Sequence, residues 1–199
     1  MDGAKSITTA TPEGPSHGHA VPRLPVEVCE RTIDHIATGW DISYAAAKGE
    51  PNLSTLTSCA LVCHDWYYLT WYHLRRRIHL RDRKDVLSLY RTLRAKPRLR
   101  EVVEQVVLSG APPGEHRAIP HLGTFAAMFA GKTPRLSRIS IEDAEWTTGS
   151  VRTEDIGYFA AFSFVDTLIV RNVTLPSVTQ LSRLVSALPQ LRALWCYNI

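Results

Sequence analysis

LSRISI, residues 136–141, decides the fold predicted for this chain. It places apolar residues at its first, fourth and sixth positions. The same pattern is found in VEQVVL at 103–108, in VDTLIV at 165–170 and in LRALWC at 191–196. The first positions of these segments are 33, 29 and 26 residues apart. Side chains alternate between the two faces of a strand, so the apolar fourth and sixth residues of each segment would lie on the same face. Each segment is therefore predicted to be a short strand.

Helical segments separate these strands, among them HLGTFAAMFA at residues 121–130 and LPSVTQLSRLVSALP at 175–189. A short strand alternating with a helix every 20–30 residues or so is typical of a leucine-rich-repeat solenoid. Asn198 and Ile199 lie near the positions where such a repeat has Asn or Cys and then an apolar residue. Because the period shortens along the chain, an ordinary α/β domain with a small parallel sheet is an alternative.

The repeats are expected to be incomplete at their C-terminal end. A solenoid needs a polar cap, and Ile199 is not polar. Residues between the apolar positions of each strand are expected on the concave side, where a solenoid binds its partners. The candidates for binding a target protein are Arg138, Ser140, Thr167, Ile169, Ala193 and Trp195. A merely solvated strand face is the alternative for each, although an exposed Ile169 or Trp195 would be unusual.

Three short helices are predicted upstream, within residues 22–75. The first begins with Pro25, whose missing N–H costs nothing at a first helical position, and ends near Gly39. The second begins near Ser54, and the third is short and capped by Asp65. The apolar positions at helical spacing are Val26, Cys29, Ile33 and Ile36 in the first helix, Leu53, Leu56, Ala60 and Cys63 in the second, and Trp66 and Leu69 in the third.

Two further elements are predicted between these helices and the repeats. RRIHL at residues 76–80 alternates and is predicted to be a strand with Ile78 and Leu80 facing inward. KDVLSLYRTLRAKP at 84–97 is predicted to be a helix that ends at Pro97 and buries Val86, Leu89 and Leu93.

LPVEVCERTIDHI at residues 24–36 and CALVCHDW at 59–66 together resemble the F-box. The matching residues are Leu24, Pro25, Glu27, Val28, Ile33, Ile36, Leu61, Val62, Cys63 and Trp66. The later HLRRRIHL and LRAKPRLREVVEQVVLSG look like the stretch that follows the F-box in many fungal F-box proteins, before degenerate leucine-rich repeats. The expected fold class is therefore α+β, with a disordered tail over 1–21, a three-helix F-box-like module over 22–75 and a leucine-rich-repeat-like α/β segment over 76–199.

This resemblance implies a substrate receptor of a cullin-RING ubiquitin ligase. Its F-box would dock on a Skp-type adaptor, and its repeats would hold a target protein. The expected adaptor-binding residues are Leu24, Pro25, Val28, Ile33, Leu61, Val62 and Trp66. Ile33 and Trp66 fit the core of the module equally well.

Two features of the same region bear on that docking. Tyr67, Tyr68, Trp71 and Tyr72 are expected to seal the junction between the module and the repeats. GWDISYAAAKGEPNLS at residues 39–54 is longer than the turn that the family has between its first two helices. A longer surface loop costs little entropy, but it could crowd the docking face.

Composition narrows the other possibilities. The chain has 199 residues, 45% of them apolar, and a formal net charge of +4. Its four cysteines have no CxxC spacing, no apolar run is long enough to span a membrane, and the N-terminus is not a signal peptide. We therefore expect reduced thiols in a cytoplasmic or nuclear protein. Because no catalytic motif is present, neither an enzyme nor a cofactor is expected.

Two weaker signals remain. Cys59, Cys63 and His64 lie close in sequence, but no second ligand pair follows, so no metal site is expected. The arginine run in HLRRRIHLRDRK, residues 73–84, is expected to be a solvated edge. Its alternative is a nucleic-acid-binding patch, or a nuclear-localisation signal. For the whole chain, the first alternative to a ligase receptor is a repeat scaffold that binds a protein partner without any ligase, and a nucleic-acid binder is the less favoured one.

Overall fold

The computed structural model describes residues 24–42, 51–112, 115–147 and 149–199. The predicted disordered tail and half of the insertion after the first helix, residues 43–50, lie outside the described residues. Within these ranges the fold is α+β, with seven α-helices and a six-stranded parallel sheet that does not close on itself.

The first three helices are α1 (Val26–Ile42), α2 (Pro51–Cys59) and α3 (His64–Arg76). The predicted stop at Gly39 is wrong, because α1 continues to Ile42; a glycine costs a helix only about 1 kcal/mol and does not end it. The predicted start of α2 near Ser54 is also late, since Pro51 fits the first helical position. Asp65 does not cap α3: it lies within the first turn, where its charge still favours the positive helix end.

A small core holds this helical module together. Ile33 and Ala37 of α1 pack with Leu56 of α2, and Ile33 and Leu56 are fully buried. Ile36, Trp66, Leu69 and Leu74 cover the core from its edges. Of the four positions predicted on one side of α1, Cys29 and Ile33 are buried and Ile36 is half-buried, but Val26 is exposed.

The sheet begins where the module ends. Its strands are β1 (Arg77–Leu80), β2 (Gln105–Ser109), β3 (Arg117–Ala118), β4 (Arg138–Glu145), β5 (Thr167–Thr174) and β6 (Ala193–Tyr197). The connecting helices are α4 (Arg83–Ala95), α5 (His121–Phe129), α6 (Thr153–Gly157) and α7 (Val178–Ala187), with 3-10 turns at Pro97–Glu101 and Tyr158–Ala161.

All strand pairs are parallel, in the order β1-β2-β4-β5-β6, while the short β3 pairs with the end of β4. Along the five-strand path each new strand is added on the same side of the last. The described sheet therefore has no point where the strand order reverses, and such a point is where open α/β sheets usually bind small ligands.

The register confirms the predicted alignment of the repeated pattern. The fourth positions of the four segments form one row, Val106, Ile139, Leu168 and Leu194, and the sixth positions form the next, Leu108, Ile141, Val170 and Cys196. Ile78 and Leu80 of β1 extend the same two rows. The predicted strand before the repeats is thus the first strand of the same sheet.

Helices α4 to α7 cover the side of the sheet that carries these rows. Val86, Leu89 and Leu93 of α4 are buried there, as predicted. The ring of Phe125 stacks on the rings of Phe129 and Phe162, with centroids 5.3 and 5.6 Å apart, so consecutive connections also pack on one another. We call this the main core.

Candidate protein-binding surfaces

Several apolar residues of the helical module lie at the surface. Five of them, Leu24, Pro25, Val28, Leu61 and Val62, we call the module surface, and Val26 is exposed beside them in sequence. Leu61 is 84% exposed and Val62 is 64% exposed, which is unusual for large aliphatic side chains. All five belong to the set predicted to bind the adaptor.

Backbone hydrogen bonds fix the chain where these residues lie. The carbonyl oxygen of Pro25 accepts from the N–H groups of Val28 and Cys29 at 3.0 and 3.2 Å. In the turn between α2 and α3, the N–H of Leu61 donates to Ser58 and that of Val62 to Cys59. Because main-chain groups hold both segments, the exposed side chains can be changed without removing the contacts that shape them.

The other two predicted adaptor-binding residues lie elsewhere. Ile33 is fully buried in the module core, so it cannot contact a partner, and the core alternative holds for it. Trp66 is only partly exposed and packs against the same core.

The tyrosines of α3 do not seal the junction with the sheet. Tyr67, Tyr68 and Tyr72 are each more than 40% exposed, whereas Trp71 alone packs against the main core. Helical geometry accounts for Tyr68 and Tyr72, which lie on the side of α3 opposite to the buried Thr70. The edge of the Tyr68 ring contacts His64 and Tyr67, at centroid distances of 4.6 and 5.6 Å. Sequence analysis missed this exposed aromatic surface, although the i, i+4 spacing of His64, Tyr68 and Tyr72 signals it.

The module is joined to the sheet without a linker, since α3 ends at Arg76 and β1 begins at the next residue. Arg76 Nε lies 2.6 Å from Glu104 Oε2, and the Arg76 carbonyl accepts from the N–H of Glu104 at 2.9 Å. His73 Nε2 lies 2.9 Å from Asp34 Oδ1, which ties α3 to α1. A cleft of about 490 Å³ lies at this junction, lined by Asp34, Ala37, Thr38, His73, Arg76, Arg77 and Gln105.

The predicted target-binding residues lie on the side of the sheet opposite to the main core, which we call the second sheet face. Arg138, Thr167 and Ala193 form one row across β4, β5 and β6, and Ser140, Ile169 and Trp195 form the next. The structure thus brings all six together on one face.

Exposure differs sharply within the second row. Ile169 and Ser140 are only 5% and 2% exposed, so the expectation of an exposed Ile169 is wrong. Ile169 lies in an inner strand, where side chains of both neighbouring strands shield it. Trp195 lies in the last strand of the path and is 53% exposed.

Polar pairs continue this face toward the ends of the strands. Arg171 Nη2 lies 2.6 Å from Glu142 Oε2, and these two residues are directly opposite each other in β4 and β5. The following residues, Asp143 and Asn172, have positive φ angles of 46° and 54°, and Asn198 after β6 has 51°. These three residues are 29 and 26 residues apart, which repeats the spacing of the strands.

The arginine run does not form one uniform surface. Arg75 lies over the ring of Trp71 at 5.5 Å, Arg76 pairs with Glu104, and Arg77 is only 9% exposed. The three side chains are therefore engaged in different surroundings within the chain.

Two further observations concern the described ranges as a whole. No group of three or more His, Cys, Asp or Glu side chains there is placed to hold a metal ion. None of the helices in those ranges is both long enough and apolar enough to cross a bilayer. No protein-family model matches the chain, and no curated protein matches it.

Proposed function

We propose that this chain is a non-catalytic substrate receptor of a cullin-RING ubiquitin ligase, acting in the cytoplasm or the nucleus. In this proposal the helical module is an F-box that docks on a Skp-type adaptor. The sheet and its helices form a leucine-rich-repeat-like segment whose second face holds a target protein.

The exposure of the module surface is the observation that carries the proposal. A helical module that buries Ile33 and Leu56 completely, yet leaves Leu61 and Val62 more than 60% exposed, has a second apolar side with no partner in the described chain. Exposed apolar patches of this kind mark protein interfaces. The same residues are the ones on which the resemblance to the F-box rests.

Two features support the leucine-rich-repeat-like assignment. The strands are added in chain order along one path, as stacking of successive repeats requires. Asp143, Asn172 and Asn198 recur at one position per repeat with the same left-handed backbone, so each repeat bends in the same way at this position.

The test is co-purification of the chain with a Skp-type adaptor. We expect wild-type protein to bind and a Leu61→Asp, Val62→Asp double variant to lose at least 90% of the bound adaptor, a loss of about 1.4 kcal/mol or more. The control is Val178→Asp, which places one such charge at a similarly exposed apolar residue on α7. Circular dichroism verifies that all three proteins are folded.

Failure of well-folded wild-type protein to bind the adaptor contradicts the ligase assignment. A repeat scaffold without a ligase is then the better description, because the second sheet face does not depend on the adaptor. The nucleic-acid alternative predicts binding that weakens steeply with salt and disappears when Arg75, Arg76 and Arg77 are neutralised. The different surroundings of these three side chains give it no support.

A further inference from the structure

The outer side of α4 and the 3-10 turn that follows it carry a dense group of positive charges. Six exposed cations, which we call the basic face, lie there: Arg83, Lys84, Arg91, Arg94, Lys96 and Arg98. Residues 83–98 contain one carboxylate, that of Asp85, so their net charge is +5, whereas the whole chain has +4. The excess positive charge of the chain is therefore concentrated in this one segment.

Helical geometry brings the charges of α4 to one side. Lys84 and Arg91 are seven residues apart, about two turns, and Arg94 follows almost one turn later, so the three lie along one stripe. This stripe is opposite to the side that α4 buries in the main core. From Lys84 to Arg94 the cations extend over about 15 Å along the helix axis.

No carboxylate neutralises this stripe. The Asp82 side chain accepts from the N–H of Asp85 at 2.9 Å, and the Asp85 carboxylate accepts from the N–H of Arg81 at 2.9 Å. Within the described residues, none of the six cations of the basic face forms an ion pair. Arg83 and Lys84 also lie in the first turn of α4, where positive charge is unfavourable. The basic face is therefore not explained by the stability of the helix.

The next helix adds a cation beside the basic face. Lys132 Nζ lies 4.9 Å from the centre of the Tyr90 ring and donates to the carbonyl oxygen of Met128 at 2.8 Å. Tyr90 is the only aromatic residue of the segment, and its half-buried ring lies under this cation. No large apolar side chain among residues 83–98 is exposed. The surface thus offers charge and little else.

Charge also bears on whether another part of the chain covers the basic face. Outside the described residues, the stretch 1–23 contains two acidic and two basic residues, and 43–50 contains one of each. Neither stretch has the net negative charge that would neutralise the basic face. Its counterpart is therefore expected on another molecule.

We propose that the basic face binds double-stranded DNA through its phosphates, without reading the base sequence. Arg and Lys alone suffice for such binding, and a guanidinium group can bond two phosphate oxygens at once. The basic face lacks the apolar and aromatic core of a protein interface, the apolar side that enters a membrane and the stacking rings that hold single strands.

Duplex RNA fits less well than DNA. RNA duplexes are recognised through their 2′-hydroxyl groups as well as through phosphates. Cations cannot accept a hydrogen bond from a hydroxyl group, and Ser88 is the only exposed hydroxyl residue within 83–98. The basic face is therefore suited to phosphates alone.

The DNA site is independent of the proposed ligase function, because it uses no residue of the module surface or of the second sheet face. Helix α4 covers the opposite side of the sheet from the second sheet face, so a duplex and a target protein can be bound together. The site also differs from the arginine run at Arg75, Arg76 and Arg77, which precedes α4.

The test is the fluorescence anisotropy of a labelled DNA duplex of about 20 base pairs, titrated with the purified chain. Five neutralised phosphates predict a logarithmic salt slope of about −4.5, so the dissociation constant should rise from about 1 μM at about 50 mM salt to about 100 μM at about 150 mM. Neutralising Lys84, Arg91 and Arg94 together to Gln should weaken binding at least tenfold at the lower salt and bring the slope to about −2.

The matched control has the same change in net charge elsewhere. It combines Arg31→Gln, Arg183→Gln and Arg192→Gln, at three exposed arginines outside the basic face, and should bind DNA within about twofold of wild type. Circular dichroism verifies that all three proteins are folded. The variant of α4 should also co-purify with the adaptor as wild type does, which separates the two proposals.

Four results overturn the inference. The first two are absence of DNA binding by folded wild-type protein and equal binding by the variant of α4. The third is equal or tighter binding of a single strand or of an RNA duplex of the same length, which contradicts the assignment to DNA. The fourth is displacement of DNA by polyglutamate at equal charge concentration, which indicates an acidic protein segment as the ligand.

Discussion

Asn172 Nδ2 donates a 2.6 Å hydrogen bond to Asp143 Oδ1, and both residues have positive φ angles. They occupy the same position in neighbouring strands, one residue after the paired Glu142 and Arg171. Side chains of Asn and Asp tolerate the left-handed region better than most others do. The hydrogen bond therefore joins two successive repeats at the point where the extended backbone of both strands is interrupted, two residues before the strands end.

Substitutions of Asn172 separate the contribution of this hydrogen bond from that of the left-handed backbone. We expect Asn172→Ala to lower the free energy of unfolding by about 1 kcal/mol more than Asn172→Gly does, although both variants lose the hydrogen bond. Only alanine adds the cost of a left-handed backbone, about 1–2 kcal/mol. Urea denaturation of both variants measures the difference. Equal losses would show that the backbone at residue 172 relaxes freely.

Ile33 lies inside the helical module, whereas Leu61 lies at its surface. We expect Ile33→Ala to lower the free energy of unfolding by about 2–5 kcal/mol, because it leaves a cavity among fully buried side chains. Leu61→Ala should change it by less than about 0.5 kcal/mol, since the side chain is already in solvent. Chemical denaturation of the two variants side by side decides the matter. A large loss on Leu61→Ala would mean that the turn before α3 is packed.

The burial of His121 predicts that the stability of the chain depends on pH. The residue is buried at the start of α5, with Nε2 3.2 Å from the carbonyl oxygen of Leu80. Burial lowers the pKa of His121 below its usual 6.5, and the hydrogen bond to Leu80 and the charges of Asp82 and Asp85 oppose that shift only in part. Above pH 6.5 the imidazole is neutral in both the folded and the unfolded chain. As the pH falls through 6.5 toward the lower folded pKa, the unfolded chain takes up the proton first, and stability is lost.

The measurement is the melting temperature at about pH 7.5 and about pH 5.5, on either side of the usual histidine pKa. His121→Gln should reduce the drop between the two values, whereas His116→Gln, at an exposed histidine, should leave it unchanged. If the melting temperature falls by the same amount in wild type and in both variants, titrating groups other than His121 cause the fall.

Gly110 and Gly157 should respond to alanine in opposite directions. A Cβ on Gly110 would overlap the carbonyl oxygen of Arg117 and crowd that of Asp143, so Gly110→Ala should cost about 1–3 kcal/mol through backbone displacement. A Cβ on Gly157 meets no atom within 4 Å, and its backbone is helical, with φ −57° and ψ −31°. Gly157→Ala should therefore stabilise the chain by about 0.4–1 kcal/mol. Melting temperatures of the two variants report both effects, and destabilisation by Gly157→Ala would contradict the geometry.

The repeated pattern predicted the arrangement of the strands well. Alternating apolar residues identify which side of a strand is buried, and the same positions within each segment lie opposite one another, as Ile139 and Leu168 do. The next part of the repeat was missed. Asp143 and Asn172 recur with the strands, but their role depends on a backbone angle and on a neighbouring strand, neither of which the apolar pattern contains.

Exposure was predicted less well than periodicity. The spacing of apolar residues in α1 indicated that Ile33 lies on the buried side, but the same spacing could not tell whether its neighbours belong to this chain or to a partner. Ile169 was predicted to point outward but is buried, whereas the tyrosines of α3 were predicted to be covered but are exposed, as Tyr68 shows. In both cases the outcome depends on the packing of distant elements, such as the place of β5 inside the sheet.

Because α3 leads directly into β1, the orientation of the helical module relative to the sheet is restricted. The last residue of α3, Arg76, is followed directly by the first residue of β1, and Arg76 is bound to Glu104. Few backbone torsion angles can therefore change the orientation of the module relative to the sheet. In the proposed receptor, a target bound to the second sheet face is therefore held at a nearly constant orientation relative to an adaptor bound to the module surface.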